Sequence, residues 1–107
     1  MKNLTKNEEI VLLAVWNLKD NAFGLSIVDQ IERDTGAKWQ PGAIYGTLTR
    51  LKKNGYISAS GTDQPQSQIG RPRIYYRVTR MGMKKLVAAQ KTVRSIWSGV
   101  PDLEKIG

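Results

Sequence analysis

The stretch Pro41-Gly42-Ala43-Ile44-Tyr45-Gly46-Thr47-Leu48-Thr49-Arg50-Leu51-Lys52-Lys53, closed by Asn54-Gly55, decides how this chain is read. Proline suits the first position of a helix, because the amide it lacks would be unpaired there anyway. Asn-Gly is a stop signal. Ile44, Leu48 and Leu51 are spaced four and three apart and make one apolar face. At about 100° per residue, Gly42, Gly46, Thr49, Arg50 and Lys53 point the opposite way. Tyr45 and Lys52 lie on one flank and Thr47 on the other. The outward face holds no acid, and its two glycines would let the helix sit deep in a groove. Arg50 suits a guanine edge or a phosphate, and Thr49 a phosphate or a thymine methyl. Tyr45 can give its hydroxyl to a phosphate while its ring packs at the domain edge. Each feature has a plainer reading. Gly46 could be a tolerated mid-helix glycine, costing about 1 kcal/mol against alanine, and the cations an ordinary solvated face.

Working outward, Thr5-Lys6-Asn7-Glu8 has the capping-box spacing, in which two orphan amides are satisfied reciprocally. The run to Lys19 is apolar nearly all round, at Ile10, Val11, Leu12, Leu13, Val15, Trp16 and Leu18, and predicts a buried helix ended by Asp20-Asn21. A second helix is expected over about 24–35, with Leu25, Ile27, Val28 and Ile31 inward and Gly36 stopping it. After Gly55 come two strand-like pieces, 56–60 and 73–79, separated by a polar, breaker-rich loop too long for a tight hairpin. A last helix runs from Thr79 or Arg80 to Trp97, broken by Ser98-Gly99 and Pro101. The chain is therefore mainly α with a small β-hairpin. Three helices and a two-stranded wing form a winged helix-turn-helix, whose second helix-turn-helix member enters the DNA major groove. Residues 1–79 would be the DNA-binding part and 80–107 a dimerisation helix and tail.

Charge supports a polyanion partner. The 107 residues hold 17 basic and 9 acidic side chains, and the excess is segregated. Residues 38–94 carry twelve cations against the single Asp63, whereas residues 1–37 are net acidic. Solubility needs net charge but not its gathering into one half. With neither cysteine nor histidine, the chain has no disulfide, no thiolate or imidazole metal site and no histidine-dependent triad. Asp29 and Glu32 share a helix face without a phosphate cradle or nucleophile beside them. The longest apolar run, Ile10 to Trp16, falls far short of the roughly 20 residues that span a bilayer. These features predict a cytoplasmic, non-enzymatic protein with no cofactor, metal or membrane partner.

Gly70-Arg71-Pro72-Arg73 places two guanidinium groups around a stiffening proline. Such an arm can follow the backbone or enter a narrow minor groove, unless it is a turn with incidental cations. In the last helix Met83, Leu86, Gln90, Val93 and Trp97 recur at intervals of three and four, with Val87 and Ile96 beside them. Met83 and Leu86 are expected inward, and Val93, Ile96 and Trp97 toward a second copy. Leu86, Gln90, Val93, Ile96 and Trp97 are thus the candidate dimer interface. A dimer would meet two half-sites about 34–36 Å apart, a palindromic operator on double-stranded DNA.

Residues 41–51, followed by Gly55-Tyr56-Ile57, resemble the recognition-helix signature of the PadR family of bacterial transcriptional regulators. Residues 70–79 resemble that family's wing and second strand, and Glu9 to Ile31 its first two helices. The resemblance implies a homodimeric repressor whose carboxyl-terminal helix supplies the dimer contacts. By position it makes Tyr45 a DNA-backbone contact and assigns Gly70, Arg71 and Arg73 to the wing. It also implies a small aromatic effector, which Trp16 and Trp97 could line. Two departures touch the entry of the helix: Gln40 replaces a small capping residue, and Gly46 stands where proline is frequent. The rival reading is a non-specific architectural or RNA-binding winged helix. Against it, only Tyr45 and Tyr75 are expected outside, few for base stacking.

Overall fold

The computed structural model describes residues 3–61 and 73–100. Helix α1 spans Lys6–Leu18 and is followed by a single 3-10 turn, Lys19–Asn21; α2 spans Gly24–Thr35 and α3 Pro41–Lys53. Strands β1 (Ile57–Gly61) and β2 (Ile74–Val78) pair antiparallel, with Ile57 opposite Val78 and Gly61 opposite Ile74, and α4 spans Arg80–Trp97. This is the expected order of three helices, a two-stranded hairpin and a helix.

The element ends follow from local chemistry. At α1, the Glu8 amide donates to Thr5 Oγ1 at 3.1 Å and Glu8 Oε1 accepts from the Thr5 amide at 2.8 Å, completing the capping box. At α2 the cap comes from inside the helix, because phenylalanine has no side-chain acceptor: Ser26 Oγ accepts from the Phe23 amide at 2.9 Å. Gly36 ends α2 at φ +72°, the left-handed conformation that favours glycine. Gln40 offers α3 no side-chain cap, and its carbonyl alone receives the first amides, from Ala43 and Ile44.

The core is a continuous cluster. Val11, Leu12, Ala14 and Val15 of α1 meet Ile27 and Ile31 of α2, Ile44, Leu48 and Leu51 of α3, Ile57 of β1 and Leu86 of α4. Burial of this kind is the main stabilising term of a small fold. Two expectations are corrected. Leu25 is 68% exposed, because two residues from Ile27 on a helix means a turn of roughly 160° away from it. Helix α1 is not buried all round either: Leu13 and Trp16 remain exposed at 37% and 39%, on the side facing α4.

Helix α4 is stapled to the α3–β1 turn. Thr79 Oγ1 donates to the Gly55 carbonyl at 2.6 Å and accepts from the Gly82 amide at 3.1 Å, while the Thr79 amide donates to the Tyr56 carbonyl at 3.0 Å. The hairpin is anchored on its other side as well. The Tyr76 amide donates to the Ala22 carbonyl at 2.8 Å, and Phe23 bridges Tyr75. Strand β2 is thus flanked by β1 and by the entry to α2.

Candidate nucleic-acid interface

Helix α3 turns Ile44, Leu48 and Leu51 into the core and leaves Gly42, Tyr45, Thr49, Lys52 and Lys53 exposed. A Cβ at Gly42 or Gly46 would meet nothing within 4 Å, so α3 is open and without a side chain at both positions. Thr49 Oγ1 donates to the Tyr45 carbonyl at 3.0 Å and remains exposed. Arg50, Lys52 and Lys53 fill the last turn, and α3 carries no acid in its first. The exposed side chains of α3 itself include Arg50, Lys52 and Lys53 and no acid, but Arg50 is paired with Glu8 of α1, whose Oε2 lies 3.6 Å from its Nε.

Thr47 is the exception. It is only 3% exposed, and its hydroxyl donates to the Ala43 carbonyl at 2.9 Å, so it is not an outward contact residue. It lies next to Leu48 on the helix, close enough to the core direction to be drawn in. Its role is to receive Arg50, whose Nη2 donates to Thr47 Oγ1 at 3.2 Å.

Tyr45 is 44% exposed, and its hydroxyl rests against Gly24 at the start of α2. A Cβ on Gly24 would collide with that hydroxyl and meet two ring carbons at 3.1 Å, so the glycine makes room for the tyrosine. Tyr76 lies nearby. Burial first, and the neighbouring Tyr45 second, push its phenol above the ordinary value of 10.0.

Of the wing arginines, Arg73 lies within the described residues, whereas Gly70 and Arg71 lie outside them. The Arg73 guanidinium stacks 4.2 Å over the Phe23 ring, and Phe23 meets Tyr75 edge-on at 5.6 Å. Arg73 is therefore held at the root of the wing, on the same side as the Tyr45–Gly24 contact with α2. Sequence reasoning missed Phe23 and Gly24, since neither residue belongs to a motif that announces its partner.

Along α4, Leu86 is buried within its own chain and Met83 packs against the same core. The outer half is different: Val87, Val93, Ile96 and Trp97 are exposed at 42%, 37%, 68% and 61%, and Gln90 is exposed with them. A groove between α1 and α4 is lined by Leu13, Trp16, Met83, Leu86, Val87 and Val93 together with the polar Glu9, Gln90 and Arg94. Trp16 lines it and Trp97 does not, so the two expected ligand-lining tryptophans are not brought together. Among the described residues no group of three or more histidine, cysteine, aspartate or glutamate side chains is placed to hold a metal. No helix among them is long and apolar enough to cross a membrane.

The sequence pattern of the transcriptional regulator PadR-like family matches residues 12–88, which contain α1 from Leu12 onward, both strands and the first half of α4. The chain belongs to the PadR-like family of transcriptional regulators. Solved structures share the PadR fold. A PadR-like transcription factor from Bacteroides fragilis is 24% identical, with a TM-score of 0.74 over 87% of this chain and 84% of that one. A transcriptional regulator from Clostridium thermocellum is 26% identical, with a TM-score of 0.64 over 89% and 90%. A PadR family transcription regulator from Clostridium difficile is 23% identical, with a TM-score of 0.69 over 94% and 98%. No curated protein matches the chain in sequence. The family and these neighbours are regulators of transcription rather than enzymes.

Proposed function

We propose that this PadR-like regulator is a homodimeric, cytoplasmic repressor that binds a palindromic operator on double-stranded DNA through α3 and the wing. One observation carries the reading. The outward side of α3 joins two side-chain-free positions, Gly42 and Gly46, to Thr49, Arg50 and Lys53, with no acid on the helix itself. A helix so built can approach a major groove closely and present donors to base edges and phosphates. Tyr45 and Arg73 flank it as backbone contacts, and Arg71 is a further DNA contact in this reading.

The dimer reading rests on the outer half of α4. Val93, Ile96 and Trp97 are large, apolar and exposed on one helix, a pattern that a second copy would cover. Residues 1–79 then form the DNA-binding part and 80–107 the dimerisation helix and tail, although the first turns of α4 share the core. The groove beside Trp16 is where we place a small aromatic effector that relieves repression.

The test is an in vitro selection from random DNA duplexes at physiological salt, followed by sequencing. An enriched two-fold palindrome supports the reading. Retention without a motif would indicate charge-driven, non-specific binding, and no retention would remove DNA as the partner. With several phosphates neutralised, affinity for the selected duplex should fall steeply as salt rises.

A further inference from the structure

Glu8 caps α1, and it also reaches α3. Its Oε1 accepts from the Thr5 amide at 2.8 Å, while its Oε2 lies 3.6 Å from Arg50 Nε. The Glu8 side chain is 13% exposed and that of Arg50 57%, so the carboxylate is the more buried member of the pair, held by the Thr5 amide. Arg50 Nη2 is held by Thr47 Oγ1, whose only hydrogen goes to the Ala43 carbonyl, leaving a lone pair for the guanidinium. Nε and Nη2 form the side-on edge of an arginine. Nη2 is hydrogen-bonded to Thr47 and Nε faces the Glu8 carboxylate as an ion pair. Nη1 and the second Nη2 hydrogen, the end-on edge, have no partner among the described residues.

We propose that Glu8 is a positioning residue for DNA recognition: it fixes Arg50 so that only the end-on edge of the guanidinium is offered to a base pair. The inference rests on the DNA-binding reading of α3. Two parallel donors match the O6 and N7 acceptors of guanine, but an arginine free to swing satisfies a phosphate equally well. Held from behind by α1, Arg50 keeps to one direction. Released, it contributes to every sequence alike. Glu8 thereby converts a general cation into a reader.

The test uses the full chain and its Glu8→Gln, Arg50→Ala and double variants, each carried through the same random-duplex selection. Affinities are then measured for the wild-type consensus and for its single-base variants. Glutamine still accepts the Thr5 amide, so the cap survives while the charge is lost. Glu8→Gln should lower the preference at one base pair per half-site by about tenfold and leave the other positions unchanged. In the Arg50→Ala background Glu8→Gln should change nothing. Thr47→Val, which removes the other restraint without touching α1, should weaken preference at the same position. Unaltered preference in Glu8→Gln and Thr47→Val overturns the proposal, as does a Glu8→Gln effect that persists without Arg50. If the wild-type chain retains no duplex, or enriches no motif, the DNA reading itself fails and takes this one with it.

Discussion

Gly82 of α4 crosses the backbone of Tyr56 so closely that a Cβ there would fall inside contact distance of the Tyr56 carbonyl oxygen and meet Val78 Cγ1 at 2.8 Å. The obstacle is main chain, which cannot swing aside as a side-chain tip can. Gly82→Ala should therefore destabilise the fold by about 1–3 kcal/mol through overpacking, despite alanine's better helix propensity. Urea unfolding followed by circular dichroism measures this, and an unchanged or raised midpoint would show that α4 shifts at no cost.

The Gly24–Tyr45 contact has the opposite character. The group that a new Cβ would displace is the far end of a tyrosine, which can rotate. Gly24→Ala should cost little stability, under about 1 kcal/mol, yet move the Tyr45 hydroxyl from its resting place. Affinity for the selected duplex should fall to a similar degree in Gly24→Ala and Tyr45→Phe, as read by fluorescence anisotropy. A full-affinity Gly24→Ala protein would detach Tyr45 from backbone contact.

Tyr76 gives the fold an alkaline limit. Burial and the neighbouring Tyr45 raise its phenol above 10.0 in the folded chain, so the unfolded chain loses this proton first as pH climbs. The stability that the neutral phenol contributes is whole below the unfolded value, and it is lost as pH rises through the folded one. Comparing urea midpoints near pH 8 and near pH 11, roughly either side of the usual tyrosine range, Tyr76→Phe should show a smaller drop than the wild type. Equal drops would assign the alkaline loss to other groups.

The outer half of α4 predicts the assembly. Replacing Ile96 and Trp97 together by alanine removes two large exposed apolar side chains that touch nothing in the core cluster. The folded monomer should keep its thermal midpoint at low concentration, whereas the mass from light scattering should shift from dimer toward monomer. An unshifted mass would move the interface elsewhere on the chain.

How much of this was legible beforehand differs by kind of interaction. The helix bounds could be read because their causes are local: Thr5 with Glu8, Pro41, Asn54-Gly55 and Gly36 each act within one turn. The inward face of α3 followed from apolar spacing, whereas α1 is apolar nearly all round and its pattern does not show that Leu13 and Trp16 stay exposed. Leu25 failed because its angle on the helix, not its apolar character, decides its side. Thr47 failed for the converse reason, a polar side chain satisfied internally at a buried position. The pairs that shape the site, Glu8 with Arg50 and Phe23 with Arg73, join residues more than forty positions apart. Nothing in either stretch names the other. Only the packing of α1 and α2 against α3 and the wing creates them.

The hydrogen bond from the Tyr76 amide to the Ala22 carbonyl has a bearing on aggregation. A two-stranded hairpin leaves each strand with an outer row of unpaired main-chain groups, a template on which another molecule's strand can grow. Here Ala22 and Phe23 occupy that row on β2 at the root of the wing. The row left on β1 belongs to Ile57-Ser58-Ala59-Ser60-Gly61, a short strand poor in the large apolar side chains that make sticky edges. Copies of this protein are thus discouraged from zipping together through their wings, so the proposed dimer would not compete with strand-to-strand growth at the described part of the hairpin.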